Sequence, residues 1–288
     1  MNHHGPRYGF KPPHAVEATF RVPGWSGRAR IAHLTDLHFG SVTPVALQKA
    51  AVAMANAAEP DLTLLTGDFV ARGRRHIDVM SEVLAGIEGR KLAVLGNHDH
   101  WSGAELVRRG LEAAGVEVIT NAWTSIGSGE DKLALVCMDD FTTNRHDHHT
   151  STANLRGVPA LGLSHNPEGA PLLWGRGVPL VLSGHTHGGQ FWFRNVTSAL
   201  YERVLGARYL DGWYREADMQ VYVNPGVGSS VVPWRYGKPA MREVAVLNLE
   251  GGPVAAPDIH LIDPLHSEIV EAKQALWHGR GGEGPERI

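Results

Sequence analysis

Two histidines, His185 and His187, lie in the glycine-rich segment S-G-H-T-H-G-G-Q of residues 183–190. The segment directly follows the apolar run Pro179–Leu182. A short apolar run bounded by turn residues is typical of a buried strand, and ligand sites in open α/β sheets lie at the carboxyl ends of strands. Because imidazole is the commonest metal ligand in proteins, the segment predicts a metal site at the end of a strand.

The same arrangement occurs four more times in the chain. Each time a four-residue apolar run leads to residues with metal-binding atoms: Ile31–Leu34 to Asp36 and His38, Leu62–Leu65 to Asp68, Leu92–Leu95 to Asn97, His98 and Asp99, and Ala160–Leu163 to His165. One coincidence is expected in a chain with 17 histidines, but five in register are not explained by composition. We therefore expect these residues to form one site.

The donor set favours a pair of metal ions. Mixed carboxylate and imidazole ligands suit Mn, Fe, Zn or Ni better than Ca or Mg, and seven donors exceed the four that a structural zinc takes. Two divalent ions roughly 4 Å apart repel by about 17 kcal/mol at an effective dielectric of 20, so a bridging anion is required. Asp68 is the expected bridge, with hydroxide as a second one, and the residual positive charge would attract a phosphate.

These residues resemble the calcineurin-like metallophosphoesterases, whose pattern is D-x-H, G-D, G-N-H-[D/E], a single H and G-H-x-H. The matching segments here are Asp36–His38, Gly67–Asp68, Gly96–Asp99, His165 and Gly184–His187. The resemblance covers roughly residues 29–250. It implies an α/β fold, a four-layer α/β/β/α sandwich with a dinuclear site at the strand ends.

The resemblance also implies a role for each residue. Each of two divalent metal ions would have four ligands and share Asp68: Asp36, His38, Asp68 and His187 for one, and Asp68, Asn97, His165 and His185 for the other. His98 would not bind metal but would protonate the leaving oxygen or stabilise the charge of the transition state. Asp99 would orient or polarise the imidazole of His98.

Two later segments, R-Y-L-D-G-W-Y at residues 208–214 and V-N-P-G-V-G at residues 223–228, are similar to the branch of small bacterial phosphoesterases related to YkuE and YaeI. This branch favours a phosphodiesterase in which a metal-bridging hydroxide attacks phosphorus. One alternative is a phosphomonoesterase or a pyrophosphohydrolase acting on a nucleotide- or lipid-linked substrate of the UDP-diacylglucosamine type. An alternative of another class is a catalytically silent metal-binding scaffold, against which the complete ligand set with His98 argues.

Two further segments are candidates for substrate contact. Arg145 lies on the polar loop of residues 139–154, which we expect to be exposed, and its guanidinium could clamp a phosphate; an ion pair with a nearby aspartate is the alternative. The aromatic-rich segment of residues 191–214 is expected to form a helical subdomain packed on the core. An apolar cap or an acyl-chain groove in contact with a membrane surface is the alternative.

The elements that must position the site alternate along the chain. Helices are predicted over residues 45–58, 77–87 and 104–114, between strands that include the five apolar runs. Such alternation is typical of an α/β layer architecture. We predict a flexible leader over residues 1–17, a single domain over residues 18–262, and a C-terminal helix with a disordered tail over residues 263–288.

Composition limits the class of function. With 288 residues and 43% apolar content the chain can bury a sizeable core, and its formal net charge of −3 gives no basic field for a nucleic acid polymer. The single cysteine, Cys137, cannot form an intramolecular disulfide and is expected to be buried. Without a long apolar segment or a visible signal peptide, a cytoplasmic location is predicted, with peripheral membrane contact as the alternative. No feature indicates an oligomeric state.

Overall fold

Two mixed β-sheets face each other at the centre of the molecule. The structure, a computed structural model, describes residues 12–190, 207–237 and 240–262. The strands in these ranges are β1 (His14–Val22), β2 (Arg28–Leu34), β3 (Leu62–Leu65), β4 (Lys91–Ala93), β5 (Glu117–Val118), β6 (Ala122–Ile126), β7 (Leu133–Cys137), β8 (Ala160–Leu163), β9 (Leu180–Ser183), β10 (Gly212–Glu216), β11 (Met219–Val223), β12 (Glu243–Gly251) and β13 (Ile259–Ile262).

The first sheet has the order β13-β1-β12-β2-β3-β4-β5, and the second has the order β10-β11-β9-β8-β7-β6. Strands β2 to β5 run parallel in the first sheet, and β7, β8, β9 and β11 run parallel in the second. The register pairs Leu34 with Leu65 and Leu163 with Leu182. The residues that follow these strands therefore leave each sheet at a single edge.

Helices cover the outer faces of both sheets. They are α1 (Val45–Ala57), α2 (Ile77–Ala85), α3 (Asn97–Ala113), α4 (His148–Ser151) and α5 (Ala170–Trp174). Helices α1 to α3 pack on the first sheet through an apolar cluster, and α5 packs on the second through another. A third cluster fills the space between the sheets. Side chains alternate along a strand, so one strand contributes to two clusters. In β9, Leu180 and Leu182 point between the sheets, whereas Val181 points outward. The predicted α/β/β/α sandwich is confirmed.

Several element boundaries differ from the predictions. Strand β1 begins at His14, inside the predicted leader, and β6, β10 and β13 were not predicted. Helix α3 begins at Asn97 rather than at residue 104, with a break at Gly103, where φ is 106°. Cys137 is fully buried, as predicted.

The predicted C-terminal helix and tail and residues 191–206 of the aromatic segment lie outside the described residues. None of the described helices combines the length and the apolarity needed to cross a lipid bilayer.

Candidate metal centre

The strand ends bring six of the predicted ligands into two groups. Asp36, His38 and His187 form one group, and Asp68, His165 and His185 form the other. Within each group, one ligand atom per residue lies within 4.8 Å of the others. Each group takes residues from both sheets, because Asp36, His38 and Asp68 follow β2 and β3 whereas the other three histidines follow β8 and β9. The site therefore lies where the carboxyl ends of both sheets meet.

Asp68 lies between the two groups. Its Oδ2 atom is 3.6 Å from Nε2 of His38 and 3.3 Å from Nε2 of His165. In the first group, Nε2 of His187 is 3.0 Å from Nε2 of His38 and 3.5 Å from Oδ1 of Asp36. The donor atoms of both groups thus point into one space that contains the Asp68 carboxylate.

Two buried oxygens support a metal in this space. Oδ1 of Asp36 and Oδ1 of Asn97 are buried, and neither has a hydrogen-bond partner among the described residues. Buried polar atoms are nearly always bonded, so unpaired oxygens beside a group of histidines fit the chemistry of a cation site. Asn97 is 2% exposed, and its role as a ligand stays a prediction.

The backbone is left-handed at five of the seven predicted ligands. Asp36, His38, Asp68, His185 and His187 have φ angles between 44° and 74°. Residues other than glycine adopt this region rarely, at a cost on the order of 1–3 kcal/mol each, and they persist there only when the surroundings enforce it. Such a concentration at one edge of two sheets is typical of a functional site.

Hydrogen bonds define which nitrogen His165 presents to the site. Its Nδ1 lies 2.6 Å from the carbonyl oxygen of Thr66, which can only accept, so Nδ1 carries the hydrogen. Nε2 is therefore the free ligand atom, and it lies 3.3 Å from Nδ1 of His185. A backbone carbonyl behind a histidine is the usual support of a metal ligand.

The charges of the site favour ionised carboxylates at Asp36 and Asp68, neutral imidazoles at His185 and His187, and a protonated imidazole at His165. Burial raises the pKa of Asp36 and of Asp68, but the surrounding histidines outweigh it and hold both pKa values below their usual range. Burial lowers the pKa of His185 and His187. Burial also opposes the charged form of His165, but the Asp68 carboxylate overcomes it and raises the pKa of His165 to about 10. A metal ion would have to displace that proton.

At two positions a glycine is required because a side chain would not fit there, not because of the backbone angle. The φ angle is positive at Gly67, Gly188 and Gly189, where glycine is the residue that adopts the backbone conformation most easily. Gly96 has a φ of −107°, yet a Cβ atom there would overlap Oδ1 of Asp68. A Cβ atom on Gly184 would overlap Oδ2 of Asp36. These two positions let the backbone pack directly against the ligand carboxylates.

His98 lies at the edge of the metal centre on the first turn of α3. Its Nδ1 is 2.5 Å from the carbonyl oxygen of Ala71, and its ring centroid is 4.9 Å from that of His38. The Ala71 carbonyl accepts from Nδ1, so Nε2 of His98 is the atom that can exchange a proton with a substrate.

The carboxylate of Asp99 does not hydrogen-bond to the ring of His98. Its two oxygens accept the backbone N–H groups of four residues at 2.9–3.2 Å: Asp68, Phe69, Val70 and Gly96. Burial and the charge of Asp68 raise the pKa of Asp99 to about 7, whereas these donors favour the charged form. The side chain therefore fastens the loop after β3 to α3, and Ala71 rather than Asp99 contacts the His98 imidazole.

Arg145, the predicted phosphate contact, is exposed on the loop after β7. Its carbonyl oxygen accepts from Asn121, and its guanidinium forms no ion pair with a described carboxylate. A contact between Arg145 and a phosphate stays a prediction. The expectation that this whole loop is exposed is wrong, because Asp139 is 6% exposed and Asp140 is fully buried.

Sequence reasoning missed two charged residues near the site. Arg235 places Nη2 2.6 Å from Nδ1 of His187 and donates to the carbonyl of Pro225. Asp140 is buried, and its charge acts on the pKa of both His165 and His185. Asp140 follows an apolar strand, so the search for polar residues after apolar runs could have found it. Arg235 lies in a Gly/Pro-rich stretch that carries no such signal.

A cavity of 170 Å³ opens beside the ligands and is lined by His185, His187, Gln190 and Tyr209, among others. A larger cavity of 430 Å³ lies near Pro23, Arg156 and Arg176, and no predicted ligand lines it. The small cavity, not the large one, is therefore the one relevant to the metal centre.

The sequence pattern of the family described as "Calcineurin-like phosphoesterase" matches residues 29–189, more than half of the chain. The chain belongs to the calcineurin-like phosphoesterase family. This membership supports phosphoester hydrolysis with divalent metal ions, and the two groups described above could hold such ions.

Relatives of this calcineurin-like phosphoesterase include bacterial proteins. It is 32% identical over 207 residues to "Phosphodiesterase YaeI" of Escherichia coli, which covers 69% of this chain and 75% of the relative. It is 26% identical over 248 residues to "Uncharacterized metallophosphoesterase YkuE" of Bacillus subtilis, covering 82% and 84%. The solved structure of the NAD nucleotidase NadN of Haemophilus influenzae has a TM-score of 0.53 at 14% identity, covering 86% of this chain and 61% of that chain, and shows similarity of fold.

Proposed function

We propose that this protein hydrolyses phosphodiesters with the aid of two divalent metal ions. The observation that carries the proposal is the position of Asp68, whose Oδ2 atom lies 3.6 Å from His38 in one ligand group and 3.3 Å from His165 in the other. A carboxylate in this position can serve two cations at once. A dinuclear centre is therefore the arrangement that these residues support best.

In the proposed centre each ion has ligands from both sheets. Asp36, His38 and His187 would hold one ion, and His165, His185 and the amide oxygen of Asn97 would hold the other, with Asp68 shared. When bound, such ions lower the pKa of water toward neutrality and neutralise the charge of a phosphate. Mn, Fe, Zn and Ni all suit this donor set.

The residues of the chain would then orient the substrate and move a proton. His98 has its Nδ1 engaged by the Ala71 carbonyl, so its Nε2 is available to protonate the leaving oxygen. The backbone of Gly96 and Gly184 packs against the ligand carboxylates and limits their rotation. The similarity to the E. coli phosphodiesterase favours a diester over a monoester as the substrate.

The test compares two chromogenic substrates. Purified protein loaded with Mn²⁺ is assayed with bis-p-nitrophenyl phosphate, a diester, and with p-nitrophenyl phosphate, a monoester, before and after removal of metal by a chelator. We expect faster cleavage of the diester, its loss on chelation and its recovery when Mn²⁺ is returned. Preferred cleavage of the monoester would contradict the phosphodiesterase assignment. Cleavage of neither substrate by protein that holds two metal ions would favour the scaffold alternative.

A further inference from the structure

Trp101 is a large aromatic residue that stays exposed beside the metal centre. It follows His98 by three residues on α3, and the centroids of the two rings are 5.0 Å apart. The residue is 65% exposed, so most of its surface is open to a ligand. A tryptophan face is a good stacking partner for a planar group such as a nucleic acid base.

Three arginines, Arg72, Arg74 and Arg75, lie on the loop directly after Ala71, the residue that contacts the His98 ring. All three are exposed. Among the described residues none of the three forms an ion pair with a carboxylate, although five other arginines do: Arg30, Arg90, Arg109, Arg208 and Arg215. In a chain of formal net charge −3, this loop is a local excess of positive charge.

The arginine loop and the tryptophan turn are attached to each other. The backbone N–H of Gly73 donates to Oγ of the buried Ser102 at 2.9 Å. Nε of Arg74 lies 3.8 Å from the position that a Cβ atom on Gly103 would occupy, so the guanidinium covers this glycine. The loop that carries the three arginines and the helix turn that carries Trp101 therefore lie side by side, and both contact His98 or its neighbour Ala71.

We propose that Trp101 and the three arginines bind the leaving half of the substrate, and that this half carries both a planar ring and an anionic group, as a nucleoside phosphate does. The inference rests on the proposed function, because His98 marks the leaving side only if it acts on the leaving oxygen. The ring stacks on Trp101, and the guanidinium groups donate pairs of hydrogen bonds to the phosphate oxygens.

A membrane of anionic lipids would also attract arginine and tryptophan. The contact between Trp101 and His98 favours the small ligand, because it places the indole against the reacting group rather than on a surface remote from the ligands. The substrate class that follows is a phosphodiester with a nucleotide as its leaving group.

Binding measurements separate the parts of the subsite. Protein loaded with Mn²⁺ is titrated in a calorimeter with inorganic phosphate, with AMP, which adds a ring, and with adenosine 3′,5′-bisphosphate, which adds a second anion. We expect each addition to lower the Kd at least fivefold. Trp101→Ala should remove most of the gain from the ring, and a triple Arg72→Gln, Arg74→Gln and Arg75→Gln variant should remove the gain from the second phosphate. Arg28→Gln is the matched control, because Arg28 is exposed at the end of β2 that lies away from the metal ligands. It should change neither the gain from the ring nor the gain from the second phosphate.

Equal affinities for the three ligands, or a ring gain that survives Trp101→Ala, would overturn the subsite while phosphate binding and diester hydrolysis left the proposed function standing. Loss of the proposed function has a different signature: the loaded protein neither binds phosphate nor cleaves the diester, and both proposals fail. Cosedimentation with phosphatidylglycerol vesicles that needs the arginines, without any preference among the soluble ligands, would assign the loop to a membrane surface instead.

Discussion

The backbone N–H of His98 donates a hydrogen bond to Oδ1 of Asp68 at 2.9 Å. The other oxygen of this carboxylate faces His38 and His165. The side chain expected to join two metal ions is thus bonded to the residue expected to act on the leaving group. Positioning of the metals and positioning of His98 are therefore coupled through one carboxylate.

Replacing that carboxylate tests the shared ligand. Asp68→Asn keeps the size of the side chain but removes the negative charge that would separate two cations, so we expect loss of both ions. The metal content per chain is measured by mass spectrometry after loading and desalting. Asp78→Asn, on the exposed first turn of α2, is the control and should keep both. One full equivalent bound tightly to Asp68→Asn would rule out a bridge.

His98→Ala should separate catalysis from metal binding. The imidazole lies at the edge of the site with Nδ1 engaged by Ala71, so its removal should leave the metal content near that of the wild type. Without a proton donor, kcat for the diester should fall by about a hundredfold or more. His149→Ala, at an exposed position of α4, should have no effect on kcat. Equal loss of metal and activity in His98→Ala would make His98 a ligand.

Gly96→Ala should disrupt the site without unfolding the chain. The added Cβ atom would overlap both Oδ1 and the backbone nitrogen of Asp68, so this residue would have to move away from both ligand groups. We expect metal affinity to fall at least tenfold, while the circular dichroism spectrum stays that of the wild type. Gly175→Ala, where the nearest atom to a Cβ lies 3.6 Å away, is the control. Unchanged metal affinity in Gly96→Ala would show that the Asp68 carboxylate tolerates displacement.

Asp99→Asn distinguishes a structural role from an orienting one. The amide nitrogen of asparagine cannot accept the N–H groups that the second carboxylate oxygen now accepts, so the free energy of unfolding should fall by roughly 1–3 kcal/mol. Urea denaturation measures this change. If stability were unchanged while kcat fell, the carboxylate would act on His98 after all, contrary to the hydrogen bonds described above.

The buried Glu243 should make stability depend on pH. Tyr222 donates to its Oε1 at 2.6 Å, and burial raises its pKa from 4.5 to about 8. The folded state therefore binds this proton more tightly than the unfolded chain, so the contribution of Glu243 to stability is largest at low pH. It should fall as the pH rises from about 4.5 to about 8, by up to about 1.4 kcal/mol per pH unit.

Glu243→Gln should remove this contribution. Urea midpoints at pH 5 and pH 8 should then differ less for the variant than for the wild type. Parallel pH dependence of the two proteins would mean that Glu243 is already ionised in the folded state.

Local patterns predicted the ligands because each ligand follows a short apolar run, and such a run marks a buried parallel strand and its end. An apolar run such as Leu62–Leu65 indicates the strand, and the charged residue that follows it indicates the site. The five runs converge because the strands share an edge, which is a property of parallel sheets. The two-sheet arrangement itself came from the family resemblance rather than from these patterns.

Other features could not be predicted because no local pattern carries them. Strands β10 and β13 are half exposed edge strands without an apolar run. The first turn of α3 is the polar sequence N-H-D-H, which gives no helical periodicity, and its stability comes from the capping contact of Asp99. The support of His98 by Ala71 uses a backbone carbonyl, which any residue could supply.

Each ligand group takes members from both sheets, so neither sheet could retain a metal ion on its own. A bound ion is then a reporter of long-range assembly, because only a chain whose two halves have docked presents the complete donor set. Substitutions of residues packed between the sheets, at Phe20 or Leu182 for example, would lower the bound metal content before any strand was lost. For the wild-type sequence, the metal content of a fully loaded preparation thus reports the fraction of chains whose two sheets have docked.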